Sequence, residues 1–136
     1  TQIPVFAAFV DPKTLEIVAE AQDTSNLNPL AHATMNCIDI RSLRSKEDDY
    51  ICSGLWLLVT REPCAMCAMA AVHSRVSAVF YGSDNPQLGA LGSRYKLHLE
   101  PQLNHHYTVF KHLQHQKTSK IWETFVSRLS PHARTG

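Results

Sequence analysis

Residues 60–70 read Thr-Arg-Glu-Pro-Cys-Ala-Met-Cys-Ala-Met-Ala, and this stretch decides how the chain folds. The near-continuous apolar run at residues 55–60 is typical of a strand that is covered on both faces. Pro63 suits the first position of a helix, which we expect to extend to about His73. A buried strand that leads directly into a helix indicates a layered α/β protein.

Cys64 and Cys67 form a C-x-x-C pair, which we expect on the first turn of that helix. Residues three apart lie on the same side of a helix, and the helix dipole favours thiolates near its N-terminus. Two such sulfurs are half of a tetrahedral zinc site, with a redox pair or two buried core cysteines as the alternatives. The redox alternative is weakened because redox pairs normally follow the first strands of their fold, whereas this pair starts the second helix.

The flanking sequence predicts further strands at residues 4–10, 15–21, 76–81 and 107–110, of which the first two form a hairpin. For a first helix over residues 30–43, Asn28 is a candidate N-cap and Pro29 a first helical residue. We expect its inward side to carry Ala31, Met35, Cys37 and Ile38. A last helix over residues 121–129 would pack back on the sheet through Ile121, Trp122, Phe125 and Leu129. This order of elements predicts an α/β sheet with right-handed crossovers.

His32 can reach the cysteine pair. The first helix travels about 17 Å away from His32 at roughly 1.5 Å per residue, and the following strand returns about 20 Å at roughly 3.3 Å per residue. Cys64 therefore comes back to the end of the layer where His32 lies. A lone histidine here would more often be structural, but together with the two cysteines His32 is the expected third zinc ligand.

A zinc ion held by one histidine and two cysteines keeps an open position, where it lowers the pKa of a bound water. Nucleobase deaminases combine this site with the motif H-x-E, whose glutamate moves protons, followed by P-C-x-x-C. This chain reads His32-Ala33-Thr34, so Thr34 stands where the glutamate belongs. A threonine hydroxyl does not ionise near neutral pH, and we expect metal binding without turnover. Glu62 is the nearest carboxylate in sequence to the cysteine pair, but it precedes Pro63 and is held extended outside the helix, so we do not expect it to replace the missing glutamate. Asp39 lies further along the first helix and is expected to be a surface or partner-facing charge.

Composition restricts the other possibilities. The chain has 136 residues, 44% of them hydrophobic, which is enough for one domain with a real core. Its 13 basic and 12 acidic residues do not indicate a strongly basic nucleic-acid binder. Four cysteines are too few for a disulfide scaffold and favour an intracellular protein. No apolar run approaches the roughly 20 residues of a membrane span, so no membrane partner is expected.

Several motifs occur together in one order: HATMNCID from His32, the stretch at residues 60–70, VFYG from Val79, GALGSR from Gly89 and LNHHYTVF from Leu103. Together they resemble the tRNA adenosine deaminases of the cytidine deaminase superfamily. Because Thr34 replaces the motif glutamate, the chain resembles in particular the non-catalytic subunit family of the eukaryotic heterodimer that converts wobble adenosine to inosine in tRNA.

The resemblance implies a three-layer α/β/α sandwich on a mixed five-stranded sheet, with Zn²⁺ on His32, Cys64 and Cys67. It also implies a heterodimer with a glutamate-bearing catalytic subunit, and residence in the nucleus and cytoplasm. Residues 1–136 would form a single deaminase-like domain, with a helix and tail at 116–136, at the C-terminal end of a longer chain. The tRNA would be bound largely through the partner and an N-terminal region outside this sequence.

The resemblance also favours two interaction surfaces: the second helix, through Met66, Met69, Val72 and His73, and the 89–94 loop, as an interface or pocket rim. His132 is a hypothetical fourth zinc ligand, and residues 104–106 are expected to form a structural hydrogen-bonding corner. Two other functions remain alternatives: an active zinc-dependent nucleobase or nucleoside deaminase with a substitute proton shuttle, and a zinc-stabilised protein-interaction module.

Overall fold

The computed structural model describes residues 2–44 and 52–129, which form one five-stranded sheet and three α-helices. The strands are β1 (Phe6–Val10), β2 (Ile17–Gln22), β3 (Trp56–Arg61), β4 (Ala78–Ser83) and β5 (Thr108–Phe110). The helices are α1 (Ala33–Arg44), α2 (Ala65–His73) and α3 (His115–Arg128), with a 3-10 turn at Leu97–Leu99. Within the described ranges, no helix has the length and apolar character needed to cross a membrane.

The sheet is mixed, as the family resemblance implies. Its strand order is β2-β1-β3-β4-β5; β1 is antiparallel to both β2 and β3, while β3, β4 and β5 run parallel. The parallel part requires crossovers, and α2 provides the one between β3 and β4. The carboxyl ends of β3 and β4 therefore meet at one edge, where α/β proteins commonly place their sites.

Side-chain alternation assigns the helices to opposite faces of the sheet. Leu57 and Val59 of β3 are buried in one core cluster with Cys37 of α1 and Val72 of α2. The next residues along β3 and β4 point the other way, and there Gly82 lies directly beneath Thr118 of α3. The fold is thus the expected α/β/α arrangement, with α1 and α2 on one face and α3 on the other.

The first helix starts later than the sequence predicts, so the prediction of an Asn28 N-cap is wrong. Asn28 uses its side-chain oxygen to accept a 3.1 Å hydrogen bond from the backbone N–H of Leu30, which closes a turn instead of capping a helix. The helix begins at Ala33. His32 immediately precedes it, and its carbonyl accepts a hydrogen bond from the backbone N–H of Asn36.

The inward side of α1 also differs from the prediction. Cys37 is buried and Ile38 packs half-buried against the core, as predicted, but the other buried residues are Ala33 and Thr34, while Ala31 and Met35 are only half-buried.

The C-terminal helix is longer and more exposed than expected. It begins at His115, and Ile121 and Leu129 remain 42% and 40% exposed, so the prediction that they pack on the sheet is wrong. Trp122 contacts the sheet as predicted, with its ring 3.7 Å from the guanidinium carbon of Arg61, and buried Thr118 adds a contact that was not predicted. Glycine at position 82 permits this approach, because a side chain there would collide with Thr118.

Candidate metal centre

Three side chains meet where the first two helices begin. His32 stands immediately before α1, Cys64 immediately before α2, and Cys67 on the first turn of α2. The side-chain amide of Asn36 fixes the approach to α1 by donating to the carbonyls of Gln22 and Ala31 and to the Thr24 hydroxyl. The sequence pattern did not single out Asn36, because the bonds that it makes depend on the path of the preceding loop.

The geometry fits a tetrahedral zinc ion. His32 Nδ1 lies 3.6 Å from Cys64 Sγ and 3.5 Å from Cys67 Sγ, and all three atoms lie within 4.8 Å of one another. Zinc bonds of about 2.3 Å to sulfur and about 2.0 Å to nitrogen, at tetrahedral angles, place the nitrogen and a sulfur about 3.5 Å apart. The structure therefore brings the three predicted ligands to the spacing that such an ion requires.

The two sulfurs have opposite proton affinities. A hydrogen bond from the Cys67 thiol is the largest effect and holds the pKa of Cys64 well below that of an ordinary thiol, against the opposing effect of burial. A backbone hydrogen bond from Cys67 and the charge of His32 lower the pKa of Cys64 further. The pKa of Cys67 is raised because its proton is shared with Cys64 and because it is buried. The lowered pKa of Cys64 favours the thiolate form that a metal binds.

Thr34, two residues after His32 on α1, is buried, with 2% of its surface exposed. Among the described residues, no aspartate or glutamate joins the His32–Cys64–Cys67 group within 4.8 Å. Asp39 is exposed, as the sequence predicts.

Asp23 is a nearby carboxylate that the sequence analysis missed. It lies at the end of β2, is 5% exposed, and its charge contributes to the raised pKa of Cys67. Its Oδ1 accepts hydrogen bonds from the backbone N–H and the hydroxyl of Ser25, at 2.8 and 2.5 Å. Only the fold brings Asp23 to the cysteines, so no local spacing could have revealed it.

Glu62 is buried, with 2% of its surface exposed, and its carboxylate is hydrogen-bonded by the loop that follows β4. Asn85, Leu91 and Ser93 donate their backbone N–H groups to it, and the Ser93 hydroxyl donates as well. Four donors occupy the acceptor positions that a proton carrier would need.

The remaining predicted residues lie elsewhere. His105 Nε2 is 2.6 Å from the Val76 carbonyl and His106 Nδ1 is 3.3 Å from that of His98, so the structural corner at residues 104–106 is confirmed. On α2, Val72 is buried, Met66 and Met69 are half-buried, and His73 is exposed. His132 lies outside the described residues.

The chain belongs to the cytidine and deoxycytidylate deaminase family, since the family model described as "Cytidine and deoxycytidylate deaminase zinc-binding region" matches residues 1–83. It is 45% identical over 134 residues to "Probable inactive tRNA-specific adenosine deaminase-like protein 3" of Danio rerio, across 79% of this chain and 40% of that protein. It is 32% identical over 121 residues to "tRNA-specific adenosine deaminase subunit tad3" of Schizosaccharomyces pombe, across 80% of this chain and 38% of that protein.

A solved structure from a study of A-to-I editing by tRNA:A34 deaminases at the wobble position superposes with a TM-score of 0.75 at 26% identity. The match covers 86% of this chain and 83% of that one. The resemblance to the inactive subunit family of tRNA adenosine deaminases is thereby confirmed. The chain spans about two fifths of the length of the two relatives, whose matched shares are 40% and 38%.

Proposed function

We propose that this chain is the zinc-binding, catalytically inactive subunit of a tRNA adenosine deaminase that converts wobble adenosine to inosine. His32, Cys64 and Cys67 hold Zn²⁺, and the metal ties the start of α1 to the start of α2. The observation that carries the proposal is a group of three metal-ligating side chains together with a buried threonine, two residues after His32, at the position of the proton-moving glutamate.

This chain alone does not catalyse deamination, because it lacks a group that can transfer the protons of the reaction. Deamination needs a group that accepts a proton from water and delivers it to the ring and the leaving amine, and such a group supplies about 10²- to 10⁴-fold. Thr34 does not ionise near neutral pH, and the carboxylate of Glu62 is occupied by four donors. The role left to this chain is to support a catalytic partner and to position tRNA.

The partner is a deaminase subunit that carries the glutamate. Support comes from the subunit and inactive-protein names of the relatives and from the half-buried Met66 and Met69 on α2, beside exposed His73. Methionine is enriched at protein interfaces because its side chain is flexible and polarisable. Most tRNA contacts then fall to the partner and to segments outside this sequence. We further propose that residues 1–136 form one deaminase-like domain and that the protein is located in the nucleus and cytoplasm.

The test uses the full-length protein co-purified with its glutamate-bearing partner, with inosine scored at the wobble position of a tRNA transcript. Changing the partner's catalytic glutamate to alanine abolishes inosine formation if this chain contributes no chemistry, provided both chains still contain zinc. A substantial remaining rate contradicts the proposal. Failure of any deaminase subunit to co-purify favours the protein-interaction module.

A second candidate is an active deaminase that uses a substitute proton carrier, and Asp23 is the observation that favours it. The charge of Asp23 contributes to the raised pKa of Cys67, and only one of the two Asp23 carboxylate oxygens has a described hydrogen-bond partner. In that case this chain deaminates without a partner, and Asp23→Asn abolishes the activity while Asp39→Asn on the exposed side of α1 does not.

A further inference from the structure

One loop folds around the carboxylate of Glu62 and donates hydrogen bonds to it. Its Oε1 accepts from the backbone N–H of Asn85 at 3.1 Å, and its Oε2 from those of Leu91 and Ser93 at 3.1 and 3.0 Å. The Ser93 hydroxyl adds a further short hydrogen bond. Four hydrogen bonds converge on this one buried carboxyl group, so they hold residues 85–93 as a unit, here called the Glu62 loop.

The same loop is hydrogen-bonded to the backbone at Pro63 and Cys64. The backbone N–H of Ala90 donates to the Pro63 carbonyl at 2.9 Å, and Cys64 pairs with Gly89 in an antiparallel bridge. On the other side, the backbone N–H of Glu62 donates to the Ser83 carbonyl at 2.8 Å. Residues 62–64 are therefore fastened between the end of β4 and the Glu62 loop, directly before the metal-binding turn.

We propose that Glu62 is a positioning residue for the metal centre: its carboxylate clamps the Glu62 loop onto residues 62–64 and thereby sets the position of the Cys64 sulfur. The inference goes beyond the proposed function and rests on the part of it that assigns Cys64 to the metal. Groups that hold metal ligands in place typically change metal affinity 10- to 100-fold when they are removed.

Gly89 supplies an independent way to disturb the same clamp. A side chain at this position would collide with all three atoms of the Glu62 carboxylate, so the loop closes only over a glycine. Gly89→Ala therefore acts from the loop, whereas Glu62→Gln acts from the strand side. An amide in place of the carboxylate turns hydrogens toward donors at one of its two ends and retains acceptors only at the other.

The experiment compares wild type, Glu62→Gln, Gly89→Ala and Ser93→Ala in the full-length protein with its partner subunit. Glu16→Gln, an exposed glutamate in the β1–β2 turn, is the matched control. Zinc release to a chromogenic chelator is timed, and the thiolate-to-metal absorption of the Co²⁺-loaded protein is recorded. The partner is the same in every sample, so a difference in release originates in this chain.

We expect Glu62→Gln and Gly89→Ala to release zinc roughly 10- to 100-fold faster and to shift the cobalt spectrum, because the Cys64 sulfur is displaced. Ser93→Ala loses one donor and has a smaller effect in the same direction. Trypsin should also cut faster after exposed Arg94, beside the clamp. Glu16→Gln should match wild type in every measurement.

Wild-type release and an unchanged cobalt spectrum in Glu62→Gln overturn the inference, even if trypsin cuts the loop faster. If Glu62→Gln does not fold, Ser93→Ala decides: faster release supports the clamp, and unchanged release overturns it. A wild-type complex in which only the partner takes up metal overturns the proposed metal centre and this inference with it. That outcome differs from a metal-loaded chain that is indifferent to Glu62.

Discussion

Gly82→Ala tests how α3 is seated on the sheet. A Cβ atom at position 82 would lie 2.5 Å from both Thr118 Cγ2 and Thr118 Oγ1, and 2.5 Å from the Thr60 carbonyl oxygen. Real Cβ atoms essentially never approach other heavy atoms below 3.0 Å, so α3 or the strand must move. The position therefore reports directly on the contact between the second helical layer and the sheet.

The magnitude follows from the atoms involved. Overpacking a closed contact costs about 1–3 kcal/mol of the free energy of unfolding. Thr118→Ala alone loses the hydroxyl's hydrogen bonds to the Gln114 and His115 carbonyls, both 3.2 Å, for roughly 1 kcal/mol. In the double variant the clashes with Thr118 are gone and only that with Thr60 remains. The double variant should thus be about 1 kcal/mol more stable than the sum of the single effects predicts.

Urea unfolding of wild type, the two single variants and the double variant measures the coupling free energy between positions 82 and 118. Ser119→Ala, one position along the helix, is the matched control and should combine additively with Gly82→Ala. If the free energies of Gly82→Ala and Thr118→Ala add to within about 0.5 kcal/mol, the two positions are not in contact. The assignment of α3 to this face would then be wrong.

Three further predictions concern the cysteines. Cys67→Ala should remove zinc and lower the melting temperature by roughly 10 °C or more, because metal binding and folding are coupled; full stability without zinc would contradict this. Cys37 and Cys52, both fully buried, should resist alkylation at pH 8 in the folded protein and react only on unfolding, as mass spectrometry can show. Burial raises the pKa of Cys37 from 9.0 to about 12. Its stabilising contribution is therefore complete below pH 9 and lost as the pH rises toward 12, and Cys37→Ala should make the decline in the free energy of unfolding shallower.

The strands were predictable because their signal is local. The apolar run that becomes β3 and the turn after β1 lie within a few residues of the elements that they define. The start of α1 was not predictable in the same way. Asn28 and Pro29 have the chemistry of a helix start, but the Asn28 side chain closes a turn and the helix begins only at Ala33. Which of two locally reasonable structures forms depends on the loop that Asn36 holds from the helix side.

The amino-acid sequence by itself determined the types of ligand, their spacing and the missing carboxylate, because a C-x-x-C turn and a threonine in place of glutamate are visible in single motifs. Only the tertiary structure decided what surrounds them. The charge of Asp23, at the end of β2, raises the pKa of Cys67, and Glu62, two residues before Cys64, holds a loop that lies more than twenty residues further along the chain. Such contacts join distant segments, and their existence depends on how helices and strands pack, which no local pattern records.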